Sequence, residues 1–91
     1  MDMDMDAVIS GTMPQMKIDG VLTEWTKTPT GDYAGFIKCD AGDIYIAVSI
    51  HCTDQAKVPT AQKGTRVHFA PMKDPKATAH YWGWARAIEI R

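Results

Sequence analysis

The residues best equipped for chemistry lie in "HYWGWAR", positions 80 to 86 of a 91-residue chain. Two of the three tryptophans stand two apart there, between a histidine and an arginine. In a strand, residues two apart face the same way. Trp82, Trp84 and Arg86 then form one row, and Tyr81, Gly83 and Ala85 the other. Flat indoles beside a guanidinium suit the apolar faces of pyranose rings, with the charged group hydrogen-bonding hydroxyls. The same row serves equally as one wall of a core, since two phenylalanines and one leucine leave an interior short of bulk. Trp25 is a further candidate, as an edge to the platform.

Other chemistry is poorly supplied. The chain has no G-x-x-x-x-G-K-[ST], G-x-G-x-x-G, H-E-x-x-H, G-x-S-x-G or C-x-x-C, so neither catalysis nor nucleotide chemistry is expected. His51 and Cys52 are adjacent in an extended run and face opposite ways, which argues against a shared metal. His51, His68, His80 and Met72 are candidate haem ligands, but there is no C-x-x-C-H motif, and a domain this small has little interior for a porphyrin. No cofactor and no metal are expected. Single-stranded nucleic acid would use the same rings for stacking, yet Lys57, Lys63, Arg66, Lys73, Lys76, Arg86 and Arg91 are scattered and the pI is about 6.2.

Composition sets the frame that must position these groups. Eight isoleucines and nine threonines against one leucine favour the pleated surface of strands. The length fits one domain. No run reaches the roughly 18 to 20 apolar residues of a membrane span. The acidic opening "MDMDMD" is unlike a signal peptide, and nothing in the sequence fixes a compartment. Up to Asp54 nine acidic residues face three basic ones, and beyond it seven basic face two acidic. Two such halves neutralise each other when they interleave in a sheet. Cys39 and Cys52 fall at opposite ends of the hairpin described next, so both are expected as free thiols.

Residues 33–53 carry the clearest pattern. "YAGFIKC" and "IYIAVSIHC" flank "DAGD", and Ile44, Ile46, Val48 and Ile50 alternate with Tyr45, Ala47, Ser49 and His51. This predicts an antiparallel hairpin with one buried face. "TRVHFAP" alternates again, with Val67 and Phe69 on one side. In the closing run "AHYWGWARAIEIR", Trp82, Trp84, Ile88 and Ile90 share a side, and the simplest expectation turns that side to the core. Residues 1–6 are expected to fray and 7–91 to form a single β domain. "AVISG" reads as a short first strand, "VLTEW" as a single helical turn, "TKTPTGD" and "MKDPKAT" as loops, and "TDQAKVPTAQKG" as a polar connection.

"KIDGVLTEW", "GFIKCDAGDIYIAVSIHCTD", "KGTRVHFAP" and "HYWGWARA" follow one another in an order that resembles carbohydrate-binding module family 9 and its relatives. These include DOMON-type domains and the haem-binding domain of ethylbenzene-dehydrogenase-like enzymes. The likeness spans most of residues 17–86, and the chain is shorter than such domains. It implies a β-sandwich and sugar recognition.

The expected architecture is therefore all-β: a compact antiparallel domain, a curtailed β-sandwich of five or six strands. The expected function is a noncatalytic binding module for a carbohydrate or similar small molecule, contacted by Trp82, Trp84, Tyr81, Arg86 and Trp25. The alternative is a small self-associating protein with structural tryptophans. A homodimer is expected in either case, because half a sandwich leaves sheet edges and a face uncovered.

Overall fold

A computed structural model describes residues 16–78 and 81–91, with the side chains of residues 77, 78, 81 and 82 outside that description. Segment 1–6, "AVISG", His80 and the side chains of Tyr81 and Trp82 therefore lie outside the described residues. Five strands follow in order: β1 Ile18–Lys27, β2 Tyr33–Cys39, β3 Ile44–Val48, β4 Arg66–Thr78 and β5 Tyr81–Ile90. Short 3₁₀ helices at Ser49–His51 and Gln55–Thr60 join β3 to β4.

The domain is all-β and compact, but the sheet closes on itself in the order β1-β2-β3-β5-β4, with β1 paired to both β2 and β4. It is a five-stranded barrel where two layers are expected from sequence. The closing seam, β3 against β5, is parallel and short. Every strand has a neighbour on both sides, so the free edges behind the expectation of a dimer are absent among the described residues.

The hairpin forms as expected, although its second strand ends at Val48 and Ser49–His51 coil into a 3₁₀ turn where the extended run is expected to continue. β2 and β3 pair antiparallel around "DAGD", where Gly42, at φ 98°, donates its N–H to the Cys39 carbonyl. Positive φ is cheap only for glycine. The buried row of β3 is the slimmer one: Tyr45 and Ala47, continued by Ser49, point inward, while Ile44, Ile46 and Val48 are half-buried on the outside. A five-stranded barrel has a narrow bore. Tyr45 and Phe69, ring centroids 5.3 Å apart and edge to face, already fill much of it.

Two bulges explain where expectation and structure part. In β1 the partners step from Leu22↔Ile37 to Glu24↔Phe36, leaving Thr23 unopposed. The extra residue sends both Leu22 and Trp25 toward the core. Their spacing of three, read from sequence as a helical turn, is that of a bulged strand. In β5 the partners step from His68↔Glu89 to Ala70↔Arg86, so Ala87 and Ile88 together oppose Phe69. Ala87 takes φ 47° to make this turn. Gly83 and Ala85 face in before the bulge, and Ile88 and Ile90 face in after it. The side shared by Trp84, Ile88 and Ile90 in a regular strand is thereby split.

"MKDPKAT" is not a loop but the second half of β4. Its proline suggests a break, yet Pro75 falls where the ladder to β5 is interrupted between Lys73 and Thr78, so its missing N–H costs little. Leu22, Ile37, Val67, Phe69 and Ile88 are the largest fully buried side chains. The helix Gln55–Thr60 covers one end through Val58, and Asp54 caps it by accepting the Ala56 N–H. Charged groups of the two halves meet across strands: Asp19 of the acidic half with His68 at 2.8 Å, and, in the reverse sense, Lys17 with Glu89. Cys39 and Cys52 are free and buried.

Candidate functional site

Strand register assembles the site. Phe36 of β2 opposes Ile46 of β3, Ile46 lies beside Trp84 of β5, and Trp84 opposes Met72 of β4. All four project outward, so one row of large apolar side chains runs across four strands. It ends on β1 at Glu24, the partner of Phe36. Phe36, Met72 and Trp84 are 37 to 38 % exposed. Apolar side chains gathered on one exposed face, as distinct from scattered singly, mark interaction sites.

Glycine fixes both aromatic members. A Cβ at Gly83 would fall on the Met72 carbonyl oxygen, and a Cβ at Gly35 on that of Glu24. Each glycine lets two backbones meet at a bend of the barrel and so sets the neighbouring ring, Trp84 or Phe36, on the outer surface.

Trp84 stands between two depressions. One, of about 530 Å³, lies against the β1–β2 loop and the turn after β3, and is lined by Pro29, Asp32, Tyr33, Val48, Ile50 and His51 as well as Trp84. The other, of about 450 Å³, is lined by His51, Met72, Lys73, Asp74, Pro75 and Arg86 with Trp84. Trp84 and His51 thus wall both. Burial, reinforced by Arg86, holds the His51 imidazole below its ordinary value. His51 is then neutral near pH 7, with one ring nitrogen donating and the other accepting.

The expected site residues separate. Trp84 and Arg86 are brought together on the outer face. Trp25 belongs to the core side: it packs on the buried cluster, stacks on Tyr33 at 5.9 Å between centroids, and donates its Nε1–H to the Val58 carbonyl at 3.1 Å. It braces the end helix. Tyr81 and Trp82 lie in β5, with their side chains outside the described residues. Phe36 and Ile46 join the face without having been selected from sequence, and His51 and Met72, weighed there only as haem ligands, line it as well. The hairpin alone signals the Phe36–Ile46 pair, whereas nothing local signals that Trp84 adjoins it.

Among the described residues no three His, Cys, Asp or Glu side chains group to hold a metal ion, and no helix is long and apolar enough to cross a membrane. No protein-family model matches this chain, and no curated protein sequence matches it.

Proposed function

We propose that this barrel is a noncatalytic binding module that holds a carbohydrate against the outer face of Trp84. The observation that carries the reading is a half-exposed indole standing between two depressions whose walls mix carboxylates with other hydrogen-bonding groups. Asp32 and Asp74 accept, Arg86 donates, and His51 does both. Such a mixture matches hydroxyls, which need donors and acceptors together. Two carboxylates balance Lys73 and Arg86 in these walls, so no cationic cluster forms of the kind a nucleotide or polyphosphate needs. The likeness of "KIDGVLTEW" to the opening of carbohydrate-binding module family 9 points the same way, although those residues build β1 and not the ligand face.

Titration with soluble oligosaccharides tests this by tryptophan fluorescence. Saturable change in the wild type, lost in Trp84→Ala and little altered by salt, is the expected result. No response to any glycan by fluorescence or calorimetry would remove the reading.

One observation favours a second reading. Small Greek-key barrels of five strands bind oligonucleotides as well as oligosaccharides, on the face of strands 2 and 3 and the flanking loops, and Phe36 and Ile46 occupy that face here. Base stacking on Phe36 and Trp84 would then replace sugar stacking. Binding of a labelled oligothymidylate that weakens steeply with rising salt would support it.

A further inference from the structure

We propose that the ligand is an extended, uncharged glycan chain running across the strands, with one ring on Trp84 and the ring two units along on Phe36. This rests on the carbohydrate reading above and adds the length, direction and charge of the ligand.

The register supplies the spacing. Trp84 lies beside Ile46 and Ile46 opposes Phe36, so the two aromatic rings sit on strands with one strand between. Neighbouring strands are about 4.8 Å apart, which puts the rings roughly 10 Å apart across the sheet. In a ribbon-like β-linked glucan each ring advances the chain by about one strand spacing, and alternate rings present the same face to a flat surface. Rings one and three of such a chain therefore meet Trp84 and Phe36, while the middle ring passes over Ile46, whose half-buried side chain stands lower. The two aromatics are exposed to the same degree, 38 % and 37 %, so neither ring is withdrawn from a ligand lying along this face.

Polar groups occur at both ends of this track. A shallow depression of about 240 Å³ beside Phe36 is lined by Glu24, Thr26, Ala34 and Ile46. Asp32, His51 and Arg86 surround Trp84. Carboxylates interspersed with Lys73 and Arg86 on one track give no uniform field for an anionic or cationic polymer, whereas a neutral polyhydroxyl chain finds hydrogen-bonding groups at both of its ends.

Calorimetric titration of the full chain with cellobiose, cellotriose and cellotetraose decides the matter. Affinity is expected to rise roughly tenfold from disaccharide to trisaccharide, the effect of one added ring-stacking contact, and to change little thereafter. In Phe36→Ala the ratio of trisaccharide to disaccharide affinity should fall to near one, and Phe36→Tyr should restore it. Equal thermal midpoints would exclude misfolding, which the exposed position of Phe36 makes a mild hazard. Disaccharide binding with no gain on lengthening, or a gain that Phe36→Ala leaves intact, overturns the spanning mode while the Trp84 platform stands. Failure of all glycans to bind removes the underlying reading as well. A preference for oligothymidylate, or a concentration-dependent dimer that shields both rings from iodide, also overturns the proposal.

Discussion

Trp84 and Ile88 are four residues apart in one strand, yet Trp84 is 38 % exposed on the outer surface and Ile88 is 1 % exposed in the core. Side chains four apart on a regular strand share a face. The bulge at Ala87 separates them, and with them the two roles that the sequence leaves superimposed in one row. Arg86, out of place on a core wall, belongs with the outer group.

That bulge depends on an alanine in the left-handed region, at φ 47°. A Cβ there meets the following carbonyl oxygen at a cost of roughly 1–2 kcal/mol, part of which glycine's greater unfolded-state freedom offsets. Ala87→Gly is therefore expected to stabilise the domain by about 0.5–1 kcal/mol in urea unfolding, and Ala87→Val to destabilise it. A loss of stability in the glycine variant would show that the turn is not strained.

The close-approach glycines should behave in the opposite sense. Each added methyl at Gly35 or Gly83 meets backbone and not a movable side-chain tip. Gly35→Ala and Gly83→Ala should each cost about 2–3 kcal/mol, in the range of core overpacking. Gly31→Ala provides a contrast, since no atom lies within reach of its Cβ and only its φ of 93° resists. A Gly83→Ala protein as stable as the wild type would mean that β4 and β5 lie further apart than the register implies.

How much of this was legible in the sequence depends on how local each signal is. The β2–β3 hairpin is plain, because its turn and both alternating runs lie within some twenty residues. Closure is not: it rests on a parallel pairing of Ile46 with Trp84, which no contiguous stretch encodes. Helix and bulged strand were confused at Leu22 and Trp25 because one inserted residue turns a spacing of two into three. The bulge at Ala87 is silent for a related reason, since alanine, unlike glycine or asparagine, gives no warning of positive φ. Of the residues singled out for the site, Trp84 and Arg86 lie on the outer face, and Trp25 packs against the core.

Exposed charge pairs give the domain an acid limit. The hydrogen bond from Lys17 lowers the Glu89 carboxyl, and the hydrogen bond with His68 lowers that of Asp19. A depressed folded value stabilises above the unfolded one, near pH 4, and the contribution fades as pH falls through the folded value. Glu89→Gln and Asp19→Asn should thus lower the melting temperature at pH 7 and converge with the wild type toward pH 2. High salt should shrink the difference, as both carboxylates are about half exposed to solvent.

The two thiols report integrity from the alkaline side. Burial raises Cys52 to about 11, so it stays a neutral, unreactive thiol at pH 8. Iodoacetamide should spare it in the native protein and label both Cys39 and Cys52 once urea unfolds the chain. The sign of the linkage follows: a raised acid favours the folded state below its unfolded value, and stability declines as pH rises from about 9 toward 11. Rapid labelling of Cys52 at pH 8 without denaturant would place it on an accessible surface.

Trp25 and Trp84 should separate stability from binding. Trp25→Phe deletes the indole N–H that the Val58 carbonyl accepts and thins the packing over Tyr33, so a loss of about 1–2 kcal/mol is expected. It should leave glycan affinity and iodide quenching of the exposed indole intact. Trp84→Ala removes a half-exposed ring from the outer face and should cost less in stability while abolishing the fluorescence response to cello-oligosaccharides. Both variants should be measured by urea unfolding and by titration, because each readout alone admits a trivial cause. If Trp84→Ala unfolds the domain, or Trp25→Phe abolishes binding in a folded one, the division between inner brace and outer platform is wrong, and the ligand face must be sought around the end helix Gln55–Thr60.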